Sequence, residues 1–228
     1  MKYGESTFDI LYLLFAVLTG ILILIKRRNR NDVIMGTAAL ILGIGDSFHL
    51  VPRVLNYFTG RDLTWYLGFG KLVTSITMTI FYILVFLLYK SVYHTNDKTA
   101  VNTGITIYIL SAVRIVLCLA PDNNWFTGEG SVLWGILRNL PFIVIGGIVV
   151  LLYFKARKED RCLVRLWLYT LLSFLFYIPV ALFAPLLPAL GMLMLPKTVC
   201  YILMLSSFIK KQKDDPEINR KTANSIDG

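Results

Sequence analysis

The stretch LTWYLGFGKLVTSITMTIFYILVFLLY, residues 63–89, holds one charged side chain, Lys71, and no proline. A helix that crosses a bilayer needs about 20 consecutive, mainly apolar residues, and this stretch exceeds that. Six more runs of the same kind occupy residues 8–25, 33–58, 100–120, 132–154, 162–183 and 187–209. The sequence therefore predicts an all-α membrane protein, a bundle of about seven transmembrane helices. Residues 1–209 form one transmembrane domain. Residues 210–228 are polar, lack aromatics and read as a disordered basic tail.

Composition agrees with this reading. Of 228 residues, 56% are hydrophobic and 16% charged, against about 45–50% and about 25% in soluble domains. Mean hydropathy is +0.66. A soluble enzyme, a disordered chain and a disulfide scaffold are all excluded on these values. The net charge of +9 falls in blocks between apolar runs, which argues against nucleic acid as a partner. Cys118, Cys162 and Cys200 fit no metal or redox spacing and read as packing residues. His94 falls in a loop and carries no expected role. Lys26-Arg27-Arg28-Asn29-Arg30 stops the first apolar run, and no small-residue cleavage site follows it. That run is expected to be a retained span rather than a signal peptide.

Charge between the spans sets the orientation. Lys26–Asp32, Lys90–Thr99, Lys155–Arg165 and the tail from Lys210 together hold 16 Lys and Arg, whereas the opposite segments hold only Lys2 and Arg61. Positive charge stays in the cytoplasm, so the N-terminus is expected outside and the C-terminus inside. A bacterial cytoplasmic membrane is the expected location. The tail lysines are expected to touch anionic membrane lipids or simply to fix topology.

The five remaining basic residues, Arg53, Lys71, Arg114, Arg138 and Lys197, lie within spans. At about 1.5 Å rise per residue, all five fall within about 12 Å of the outer surface. Intramembrane charge usually faces the bundle interior and marks a functional path. Snorkelling to the interface is the alternative reading. Asp46 is the one carboxylate deep within a span, and Asp9 stands at the mouth of the first helix. The cations then outnumber the acids, which predicts a cationic cavity for a phosphate or carboxylate. Ser75, Tyr82, Ser173, Tyr177 and Tyr201 lie on polar stripes of neighbouring spans and are expected to contact the same ligand.

Within Gly43-Ile44-Gly45-Asp46-Ser47-Phe48-His49-Leu50-Val51-Pro52-Arg53, the residues Asp46, His49 and Arg53 share a helical face. Asp46 is expected to accept a hydrogen bond from the His49 imidazole, the arrangement that orients a general base. A serine nucleophile, if used, would come from another helix: Ser75, Ser111 or Ser173. A structural Asp–His–Arg network is the alternative. No metal and no cofactor are expected, because His49 is the only histidine within a span.

Lys197 in the last span resembles the Schiff-base lysine of microbial rhodopsins, but Lys71 stands on the third span where that family carries acids. Gly45-Asp46 and the run from Leu67 to Tyr89, with Tyr82 in the tyrosine place, are similar to lysoplasmalogenase-like membrane proteins. Thr79 stands where that family has histidine, and its second acidic motif is absent. The resemblance covers residues 45–89 and implies an intramembrane lipid hydrolase acting through Asp46. Two functional expectations follow. One is a carrier, receptor or sensor for an organic anion. The other is a lipid hydrolase with Asp46 and His49 as acid–base residues. A structural membrane subunit remains as a third.

Overall fold

The computed structural model describes residues 2–93, 98–127, 131–183 and 187–214. Its seven α-helices are α1 (Lys2–Ile25), α2 (Arg30–Thr59), α3 (Thr64–Val92), α4 (Lys98–Leu119), α5 (Val132–Lys155), α6 (Leu166–Phe183) and α7 (Met194–Lys213). Short 3₁₀ turns at Pro121–Asn123 and Pro188–Leu193 precede α5 and α7. All seven α-helices mark spans long and apolar enough to cross a membrane. Among the described residues there is no strand. His94 and residues 215–228 lie outside the described residues.

Helix faces follow the solvent. On α1, Leu11, Leu14, Leu18 and Leu22 are exposed while Tyr12, Ala16, Thr19 and Ile23 are buried. An apolar outer face of that extent would be an aggregation liability in water, but it suits lipid. The helices form a ring in chain order, closed where α7 packs against α1. Aromatic side chains fill the middle, with the Tyr82 ring 5.3 Å from those of Phe81, Phe142 and Phe174.

Local signals fix the helix ends. The Asn29 side chain accepts from the Asp32 amide at 2.9 Å, capping α2. Gly60, at φ 61°, ends α2 in the left-handed conformation. Ser131 caps α5 through the Trp134 amide.

The α2–α3 pair is held at backbone distance. A Cβ at Gly70 would overlap the Phe48 carbonyl and the His49 Cα. Phe48 is four residues before Pro52, whose missing N–H leaves that carbonyl without its helical donor. Gly70 thus brings α3 onto a carbonyl that α2 cannot satisfy itself. Gly43 sits against Ala16 and Val17 of α1, so small residues allow close approach on both sides of α2. Thr74 Oγ1 donates to the Gly45 carbonyl at 3.0 Å.

One end of the bundle carries the N-terminus and the α2–α3 and α4–α5 connections, and is called the N-terminal end below. The other, the basic end, is locked by α7. Lys211 pairs with Asp160, whose carboxylate also accepts from the Cys162 and Leu163 amides at 2.8 and 3.0 Å. Burial alone would raise the Asp160 carboxyl, but Lys211 and these amides outweigh it and hold it below the usual carboxylate range. Burial, reinforced by Asp214, pushes the Cys162 thiol up to about 11. Gln212 Nε2 donates to the Ile23 carbonyl at 2.9 Å.

Several boundaries differ from expectation: α1 begins at Lys2 rather than 8, and three more differ at α6 and α7. α6 begins at Leu166 rather than 162, because Asp160 draws the amides of residues 162 and 163 into a turn. α7 begins at Met194 rather than 187, because a 3₁₀ segment starting at Pro188 intervenes. Lys210–Lys213 are helical rather than part of a disordered tail, held by the Asp160 and Gln212 contacts.

Candidate functional site

The halves of α2 to α7 nearest the N-terminal end enclose a cavity of about 520 Å³. Arg53 of α2, Lys71 of α3, Arg114 of α4, Arg138 of α5 and Lys197 of α7 all line it. Asp46, His49, Ser75, Tyr177 and Tyr201 line it as well. Apolar wall comes from Leu50, Met78, Phe142, Val180 and Met194.

The five cations differ in what surrounds them. Arg53 lies between acids. Its Nη2 is 3.2 Å from Glu5 Oε2 and its Nη1 is 4.0 Å from Asp9 Oδ2, while Nε donates to the Tyr57 hydroxyl at 3.1 Å. Arg138 donates to Asn123 Oδ1 at 2.6 Å and lies over the Trp125 indole at 4.2 Å. Lys197 Nζ is 4.4 Å from the Tyr177 ring centre. Lys71 is exposed at the cavity edge.

Arg114 is the outlier. It is 1% exposed. Its guanidinium carbon sits 3.4 Å over the Phe142 ring, yet Nε and Nη1 have no hydrogen-bond partner among the described residues. Cation–π contact provides about 0.5–2 kcal/mol. Desolvating an ion costs several kcal/mol, so the ring alone does not offset it.

The acids also differ from expectation. Asp46 Oδ2 accepts from the Tyr12 hydroxyl at 2.6 Å, and among the described residues no hydrogen bond joins Asp46 to His49. His49 Nδ1 is buried without a partner. The two residues share a helical face as the spacing requires, but the short carboxylate turns toward α1 and meets Tyr12. Glu5 was not foreseen as a partner. Helix α1 starts at Lys2, ahead of the apolar run, and this carries Glu5 to Arg53.

Tyr82 and Ser173 do not line the cavity. Their hydroxyls lie 3.3 Å apart in the buried core, and Ser173 donates to the Thr170 carbonyl. They are interhelical fasteners. The Tyr177 hydroxyl donates to Asn139 Oδ1 at 2.6 Å, which leaves its ring to face Lys197. Among the described residues no three His, Cys, Asp or Glu side chains gather to hold a metal ion.

No family model, no curated protein and no solved structure matches the chain. The seven apolar helices identify a multi-pass membrane protein, and any finer assignment rests on the cavity.

Proposed function

We propose that the protein binds an anionic organic ligand in this cavity and acts as a carrier, receptor or sensor. The ligand is a lipid phosphate, a lysolipid or a carboxylate. The observation that carries the reading is Arg114: a fully buried guanidinium with two unpartnered nitrogens on the cavity wall. A phosphate or carboxylate there supplies the missing acceptors and the missing charge. Lys71, Arg138 and Lys197 add positive charge, and among the described residues Asp46 is the one carboxylate on the wall. Arg53 contributes less because Glu5 and Asp9 already face it. The charge distribution between spans supports access from outside the cell, in a bacterial cytoplasmic membrane with the N-terminus outward.

The hydrolase alternative has less support. It needs Asp46 to orient His49, and Asp46 holds Tyr12 instead.

Mass spectrometry of molecules extracted from the purified protein tests the proposal, with the double variant Arg114→Ala, Lys197→Ala as control. An anionic lipid or metabolite present only with the unmodified protein is the expected result. The same extract from both proteins would remove the cavity as the binding site.

A further inference from the structure

We propose that Asp46 is a proton site linked to the anion site, taking up a proton as an anion enters. The inference rests on the cavity reading and extends it to a second, chemically different ligand. Three observations converge. Among the described residues Asp46 is the one carboxylate lining the cavity. It has no ion-pair partner within 4 Å among the described residues, whereas Glu5 and Asp9 both face Arg53. Its one hydrogen bond among the described residues comes from Tyr12, a neutral donor that is 1% exposed.

An anion held by Arg114, Arg138 and Lys197 shares about 520 Å³ with the Asp46 carboxylate. Like charges so confined disfavour each other. Adding a proton to the carboxylate gives a neutral carboxylic acid, removes one negative charge from the wall, and leaves the cations for the guest. Linkage makes the effect reciprocal: protons favour the anion and the anion favours protonation. In a carrier, this couples anion movement to protons.

Other groups around Asp46 must be separated from it. On α2 they are His49 and Arg53, and on α1 Tyr12, Asp9 and Glu5. From the other helices they are Lys71, Arg114, Arg138, Tyr177, Lys197 and Tyr201. Two of these need their own controls: His49, whose ordinary titration range overlaps the window of interest, and Asp9, a carboxylate of the same kind as Asp46 whose Oδ2 is buried without a hydrogen-bond partner among the described residues.

The test uses the purified full chain and two alkyl sulfonates, methanesulfonate and decane-1-sulfonate. Their charge does not change with pH, unlike that of a phosphate. Affinity is measured from pH 5 to pH 8, with proton uptake read by a dye in weak buffer. The unmodified protein is expected to lose up to about tenfold in affinity per pH unit across the window, the limit for one linked proton. It is also expected to take up as much as one proton per sulfonate bound. Asp46→Asn should bind at pH 8 as tightly as the unmodified protein does at low pH, without slope and without uptake. His49→Gln and Asp9→Asn should each keep the slope. Tyr12→Phe, which removes the hydrogen bond favouring the carboxylate, should move the window to higher pH. It serves as the second variant if Asp46→Asn does not fold.

Flat pH dependence in the unmodified protein, or an unchanged slope in Asp46→Asn, overturns the proton site and leaves the anion site standing. A slope lost in His49→Gln or Asp9→Asn transfers the proton to that side chain and also overturns it. Failure of both sulfonates to bind any of the proteins overturns the anion site and the proton site together. Binding of the decane chain alone assigns the guest to lipids, and binding of both assigns it to soluble anions.

Discussion

Replacing Arg114 with Met separates a binding residue from a packing residue, because the two roles predict opposite signs. In the ligand-free protein the guanidinium is 1% exposed, with two nitrogens lacking partners. Its described compensations are a side-chain contact with the Cys118 thiol and the Phe142 ring at 3.4 Å, the ring being worth about 0.5–2 kcal/mol. Replacing a buried charge by an apolar side chain of similar volume is often neutral or stabilising by about 1–4 kcal/mol. The ligand-free melting temperature of Arg114→Met should therefore hold or rise. Binding should do the reverse. Two hydrogen bonds from a charged group, at the lower value of about 1.5 kcal/mol each, come to about 3 kcal/mol, or a hundredfold in Kd. Thermal unfolding in mild detergent, titrated with decane-1-sulfonate, reads both quantities in one experiment. Arg114→Lys retains the charge but loses the planar fork, and should fall between the two. A variant that melts lower and binds as before would refute the reasoning and make Arg114 a structural residue.

Other expectations follow from the same geometry. Arg53→Ala should weaken anion binding far less than Arg114→Met, since Glu5 and Asp9 already offset its charge. The same titration compares them, and equal losses would contradict the ranking. Gly70→Ala should destabilise by about 1–3 kcal/mol, because its Cβ meets the backbone at Phe48 and His49. Gly147→Ala, in the interior of α5 with open space around it, should hold or raise the melting temperature, by up to about 1 kcal/mol of stability. Asp160 titrates lower in the folded protein than in a free chain, so its contribution is complete above the ordinary aspartate value of about 3.9. That contribution disappears as pH falls through the folded value. Protection of the Cys162 and Leu163 amides from hydrogen exchange, taken relative to the intrinsic rate at each pH, should fall on acidification through that window, and Asp160→Asn should abolish the fall.

Most of the fold was legible in the sequence because a bilayer imposes a length. Runs such as residues 63–89 can satisfy their backbone in lipid only as helices. Boundaries were less legible where a side chain overrode hydropathy: Asp160 turns the chain before Leu166, and Pro188 begins a 3₁₀ segment ahead of α7. The convergence of the five cations was also legible, since depth along a helix is simple arithmetic. Their partners were not. Spacing places Asp46 and His49 on one face, but only the neighbouring helix decides that Tyr12 takes the carboxylate. Tyr82 and Ser173 look like cavity residues for the same reason. Each is a hydroxyl in an apolar span, and nothing local reveals that they face each other. Glu5 was hidden because it precedes the apolar run, although α1 begins before it.

The hydrogen bond from Gln212 to the Ile23 carbonyl joins the last span to the first. A ribosome completes α1 long before α7 exists, so the nascent bundle must wait with an open side. During that interval the half-built cavity faces lipid on the flank that α7 later closes, with Arg114 and Arg138 already inserted. The final span thus completes the cavity wall with Met194, Lys197, Thr198 and Tyr201, so the site exists only once the last helix has joined the first.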